Sequence, residues 1–162
     1  MPAGAAVKLS PRARIYLATA VAQHAIIGGW CLLDPDAFTS SAFAGLRSAL
    51  PFVDPGQAMA TWGMLLANIA VLCLVAVVAG SEGWARAALL ASVAVEGMWL
   101  GGYLYSVANG LLTGPVGPVI WTAVVARDLT MLRQPLRNPF EPVVRRVLAG
   151  EGDDLSHHEP AV

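Results

Sequence analysis

An all-α integral membrane protein, a bundle of four transmembrane helices with its N-terminus and C-terminus in the cytoplasm, is the fold this sequence predicts. Three observations carry the expectation. Hydrophobic residues make up 56% of the 162 residues and charged residues only 13%, about half the charged share of a soluble domain and too little to cover a surface in water. Four apolar segments, at 15–33, 58–79, 87–108 and 115–132, each run to about 18–22 residues, and about 20 residues of helix cross a hydrocarbon core of about 30 Å. Lys and Arg number 10, and all but Arg47 fall before the first segment, between the second and third, or at and after the end of the fourth. Positive charge is retained on the cytoplasmic side, so this bias sets both termini inside.

The chain opens with a basic cytoplasmic stretch, residues 1–14, holding Lys8, Arg12 and Arg14. The apolar run behind it is longer than the roughly 7–15 residues of a signal-peptide core. It runs into Asp34-Pro35-Asp36 rather than a small-residue cleavage site, so it reads as a retained first span. The outer connection Asp34–Gln57 begins like a capped helix, with Asp34 as N-cap and Pro35 at the first helical position. Phe38, Ala42, Leu46 and Ala49 follow at helical spacing, which predicts a short helix lying flat on the outer leaflet. Gly80-Ser81-Glu82-Gly83 reads as a tight turn, and Val107–Gly114 as a short second outer loop. The fourth span starts on Gly114-Pro115-Val116-Gly117-Pro118, where a tilted or partly irregular start is expected, and it carries Arg127 and Asp128. With the spans counted as a membrane domain at 15–134, a Pro-rich basic juxtamembrane segment follows at 135–149. Residues 150–162 form an acidic tail whose composition predicts disorder. His157 and His158 in that tail are a weak metal signal, and no metal or cofactor is expected.

Candidate functional residues are the polar ones at membrane depth, because ionisable groups there usually face a bundle interior or a water-filled path. At 1.5 Å per residue, His24 and Glu96 each lie roughly 13 Å from the inner ends of their spans, and Asn68 roughly 15 Å from the outer end of its own. With Gln23 beside His24 and Arg127 within reach of Glu96, these residues predict a polar cluster near the midplane. It reads either as interhelical hydrogen bonding or as a path for protons or a small solute. Gly97 and Gly101 form a small-xxx-small pair, suited to packing inside the bundle or to self-association. Trp30, Trp62, Tyr103 and Tyr105 near the outer interface and Trp84 near the inner one read as an aromatic belt. Cys31 and Cys73 lie at depths too different for a disulfide and read as small buried hydrophobes. A faint parallel between Gln23–Trp30 and Glu96–Tyr103, each with a double glycine followed by an aromatic, suggests a parallel repeat.

No Ser-His-Asp, HExxH, CxxC or P-loop arrangement occurs, so no enzymatic role is read. No basic face stands apart from a hydrophobic span, so nucleic acid is not an expected partner. The stretches Pro11-Arg12-Ala13-Arg14-Ile15-Tyr16-Leu17-Ala18, Gly83-Trp84-Ala85-Arg86, Met98-Trp99-Leu100-Gly101-Gly102 and Arg133-Gln134-Pro135-Leu136-Arg137-Asn138-Pro139-Phe140-Glu141-Pro142 resemble the small four-span membrane proteins of actinobacterial tailed phages and prophages. That family has no settled activity. The resemblance implies a phage-encoded protein of the host cytoplasmic membrane, with the bilayer as its medium and a second copy or another host or phage membrane protein as partner. A holin-like permeabilising role is the leading expectation. Exclusion of superinfecting phage through helix–helix binding is the second, and a small transporter or proton-coupled subunit the third.

Overall fold

The computed structural model describes residues 8–41, 55–110 and 116–137. Among these the chain is all-helical: α1 is Pro11–Leu33, α2 Pro35–Ser40, α3 Pro55–Ala79, α4 Glu82–Ala108 and α5 Val116–Arg133. Several boundaries have a clear local cause. Ser10 caps α1 by accepting from the Ala13 N–H at 3.2 Å, and Pro11 supplies the first-turn geometry without an N–H to satisfy. Asp34 ends α1 and begins α2: its N–H donates to the Trp30 carbonyl, and its side chain accepts from the Ala37 N–H, both at 3.0 Å. Gly80, at φ +62°, makes the reversal between α3 and α4 in the left-handed region that favours glycine.

Three of these helices are long and apolar enough to cross a membrane: α1 along its length, α3 over Gln57–Ala79 and α4 over Glu82–Tyr105. Their outward surfaces suit lipid, with Leu33 exposed to 88% and Val78 to 78%, side chains that water would penalise. The outward hydroxyls are satisfied locally. Thr19 donates to the Tyr16 carbonyl at 2.7 Å, and Thr122 and Thr130 donate to the carbonyls four residues back at 2.7 Å, as is needed where no water is at hand. α5 falls outside that set because its 18 residues include Arg127, Asp128 and Arg133.

One end of the molecule gathers three segments distant in sequence. The Leu9 N–H donates to the Gly80 carbonyl at 3.0 Å, and the Ser10 N–H to the Leu136 carbonyl at 2.8 Å. The start of α1, the α3–α4 turn and the chain leaving α5 are thereby stapled together. Arg86 adds a link from α4 to the Leu132 carbonyl of α5 at 3.3 Å, and pairs with Glu82 one turn before it at 2.9 Å. Lys8, Arg12, Arg14, Arg86, Arg133 and Arg137 therefore share this end.

The core runs in the order α1, α3, α4, α5, each helix packing on the next. α1 and α3 approach most closely where Gly28 faces Gly63: a Cβ on Gly63 would lie 2.8 Å from the Gly28 carbonyl oxygen. Leu17, Ala20, Leu66, Ile69, Cys73, Ala85, Ala88 and Leu89 fill the space between helices, together with Cys31, and both cysteines are free.

Several expectations need correction. Three helices begin earlier than the apolar runs suggested, at Pro11, Pro55 and Glu82, because hydropathy marks only the most apolar part of a helix and not its first, more polar turn. Glu82 and Gly83, expected in a turn, form the first turn of α4. α2 does not present Phe38 to a leaflet surface. Phe38 is 1% exposed, inserted into the core with its ring edge-on to Trp30 at 5.3 Å. That helix also ends early, at Ser40, where Ser41 turns to an extended conformation (φ −72°, ψ 160°). Ala42, Leu46 and Ala49, most of the Pro-rich segment and the acidic tail lie outside the described residues.

Candidate functional site

The α1 face carrying Tyr16, Ala20 and His24 at four-residue intervals points inward, toward α4 residues Ser92 and Glu96, also four apart, and toward Asp128 of α5. His24 and Glu96 are 0% exposed and their side chains meet, Nε2 to Oε1, at 2.9 Å. The other ring nitrogen, Nδ1, lies 2.7 Å from the Ala20 carbonyl. A carbonyl oxygen can only accept, so Nδ1 carries a hydrogen. The contact between Nε2 and Oε1 then holds a single proton, resident on the imidazole of an ion pair or on the carboxyl of a neutral pair.

Asp128, fully buried, is the most heavily coordinated group of the site. Its Oδ1 accepts from the Tyr16 hydroxyl and from Arg127 Nε and Nη2, at 3.0 and 2.9 Å for the arginine contacts. Its Oδ2 accepts from Ser92 Oγ at 2.7 Å. Every partner donates, which suits a carboxylate. Because the Ser92 hydrogen is directed at Asp128, its oxygen faces His24 Nε2 at 3.3 Å as an acceptor. Arg127 Nη1 donates to Gln23 Oε1 at 2.7 Å, and the guanidinium lies over the Tyr16 ring, 5.1 Å from its centroid.

The cluster is electrically neutral as a whole. Arg127 offsets Asp128, and the one proton makes the His24–Glu96 pair neutral in sum wherever it resides. That neutrality is what allows it inside an apolar bundle, where an uncompensated charge is costly. Glu96 Oε2 and Gln23 Nε2 are buried without a hydrogen-bond partner among the described residues. Glu96 thus keeps one oxygen uncommitted.

A cleft of about 460 Å3 opens between α1 and α5 on the basic side of this network. Arg12, Ile15, Tyr16 and Thr19 form one wall, and Arg127, Thr130, Met131 and Gln134 the other. Both sets follow the i, i+3, i+4, i+7 spacing of one helix face. Beyond Glu96, on the side away from the cleft, the interior is closed by aromatics. Trp62 stacks on Trp99 at 4.6 Å, and Trp121 meets both edge-on at 6.3 Å. Tyr103 meets Trp99 edge-on at 5.5 Å.

Compared with known protein families, curated proteins and solved structures, the chain matches none. The site must be read from its own chemistry.

Of the residues singled out in the sequence, Gln23, His24, Glu96 and Arg127 come together. Asn68 does not: it lies exposed on α3, off the face formed by Trp62, Leu66, Ile69 and Cys73. Depth along a helix fixes height and not direction. Gly97 and Gly101 do not pack against the described residues, where a Cβ at either would meet nothing within 4 Å. The close glycine approach belongs to Gly28 and Gly63. Among the proposed belt residues, Trp84 and Tyr105 are exposed and Trp30 partly so, as anchors require, whereas Trp62 and Tyr103 are core residues. Asp128, Ser92 and Tyr16 were missing from the predicted cluster. The helical period could have found Asp128, which shares a face with Gly117, Trp121 and Met131.

Proposed function

We propose that this chain is a non-enzymatic, four-span protein of the cytoplasmic membrane, both ends in the cytoplasm, that passes protons between the cytoplasm and its interior as a proton-coupled carrier. The carrying observation is the continuous hydrogen-bonded series from the cleft at Tyr16 through Asp128, Ser92 and His24 to Glu96. Each member donates or accepts a proton, and the steps balance in order. The proton shared by His24 and Glu96 moves onto Glu96 and frees Nε2. A proton arriving at Asp128 passes from Oδ2 to Ser92 Oγ as Ser92 gives its own hydrogen to Nε2. Asp128 is left ionised again, and the one added proton leaves through Glu96, whose Oε2 is uncommitted. α5 serves as the fourth span in this reading, its charged pair turned inward and Val116, Val119, Ala123, Ala126 and Leu129 turned out. The basic end holding Lys8, Arg12, Arg14, Arg86, Arg133 and Arg137 faces the cytoplasm. The aromatic group around Trp62 and Trp99 closes the outer half in this conformation, and transport across the membrane requires that group to part.

Purified protein in vesicles enclosing a pH-sensitive dye tests this reading. After an external acid step, wild-type vesicles equilibrate faster than empty ones, and Glu96→Gln returns the rate to that of empty vesicles while the protein stays folded. Equal rates for wild type and Glu96→Gln would remove the network from function.

A second reading is favoured by separate features. Gly97 and Gly101 present an open small-residue face, and Asn68 presents an amide at a depth where lipid offers no hydrogen bond. These suit assembly of copies into a holin-like lesion, in keeping with the resemblance to phage membrane proteins, or binding of another membrane protein, as in superinfection exclusion. Under this reading Gly97→Ile stays inserted but loses the oligomers seen in mild detergent. Unchanged oligomers would return Gly97 to a plain surface position. Conditional expression with a membrane-potential dye separates a lesion from a partner-binding role, since only a lesion discharges the membrane.

A further inference from the structure

We infer that the cleft between α1 and α5 is a binding site for the phosphate headgroup of an anionic phospholipid, an inference that rests on the membrane placement proposed above and not on proton transfer. The cleft is a wedge whose two walls combine cations with apolar side chains. Arg12 stands at its rim, exposed, and no hydrogen bond or ion pair is found for it among the described residues. Arg127 stands at its floor. Of its five N–H groups, Nε, one on Nη1 and one on Nη2 are engaged by Asp128 and Gln23, leaving one N–H on each Nη for a ligand. The first turn of α1 holds no acidic residue, so Arg12 and Arg14 add to the positive end of the helix dipole rather than offsetting it. An anion at this place relieves a local surplus of positive charge.

The remaining walls select a lipid over a free anion. Ile15 and Met131 line the cleft, and Ile15 continues onto the outer surface with 67% exposure. A headgroup held at Arg12 therefore leaves an acyl chain lying along the apolar outer face of α1. The hydroxyls of Thr19 and Thr130 already donate to backbone carbonyls, so they offer the ligand only acceptor lone pairs. Arg12, Arg127 and the Gln134 amide supply the donors. Basic pockets between transmembrane helices at a cytoplasmic face hold anionic headgroups in this manner.

The test titrates phosphatidylglycerol, phosphatidylcholine and inorganic phosphate separately against the full-length protein in mild detergent, with bound ligand counted by native mass spectrometry. Phosphatidylglycerol is retained in preference to phosphatidylcholine, and inorganic phosphate alone is not retained. Arg12→Gln weakens phosphatidylglycerol retention by about fivefold, the equivalent of one surface charge at about 1 kcal/mol. Arg14→Gln, a cation of the same turn that the cleft does not include, leaves retention unchanged. Equal losses from both substitutions would reduce the effect to general surface charge and overturn the site. Equal retention of phosphatidylcholine, or retention of inorganic phosphate alone, would also overturn it.

Discussion

Asp128→Ala strongly destabilises the protein. The substitution strips the acceptor from Tyr16, from two nitrogens of Arg127 and from Ser92 at once, and leaves the partly buried Arg127 guanidinium without its anion. Breaking a buried charge pair by removing one partner costs about 3–5 kcal/mol, a large share of the roughly 5–15 kcal/mol that holds an ordinary domain together. Thermal denaturation in mild detergent reads this as a fall in melting temperature or as aggregation. The double substitution Arg127→Met with Asp128→Leu removes both charges and recovers most of the lost stability, because two well-packed apolar groups replace a pair that was costly to desolvate. Failure of the double variant to recover would show that Tyr16 and Ser92, and not charge pairing, set the cost.

Gly63→Leu has the second large effect. The Cβ alone would meet the Gly28 carbonyl oxygen at 2.8 Å, the Leu32 side chain at 2.8 Å and Cys31 at 3.0 Å. A backbone carbonyl on a packed helix cannot yield as a flexible side chain can, so α1 is pushed off α3 along their contact. Overpacking in a well-filled core costs about 1–3 kcal/mol, and here the displaced element is the helix that carries His24. The same substitution at Gly97, where a Cβ meets nothing within 4 Å, leaves the melting temperature of the monomer unchanged. Equal destabilisation at the two positions would contradict the assignment of the α1–α3 seam.

Much of this architecture was legible in the sequence, and the boundary of legibility has a physical cause. Hydropathy and length located the helices, because a lipid-facing helix must be apolar along its whole exposed surface. Depth along each span placed His24 and Glu96 at matching heights, and they do meet. Rotation about the helix axis was harder to read. In a soluble helix polar residues mark the outside, but a helix apolar on all sides gives no such mark, so Asn68 was turned inward and Gly97 read equally as intramolecular packing or as a self-association seam. The aromatics failed for the same reason: Trp62 and Tyr103 lie where a belt would be but face the core. Asp128 was visible beside Arg127, yet in a span ending among arginines it read as part of the charged border. Only the approach of α1 and α4 to α5 shows it as the centre of the network.

A single proton held between His24 and Glu96 is the centre of the proposed function. Nitrogen-15 magnetic resonance of the protein in lipid bilayers, with the histidines labelled and His24 assigned through a His24→Gln sample, measures this directly. The account predicts a His24 ring with Nδ1 protonated and hydrogen-bonded, and with an Nε2 resonance that moves when Glu96 becomes glutamine. An Nδ1 without a proton, or an Nε2 resonance that ignores Glu96→Gln, would contradict it.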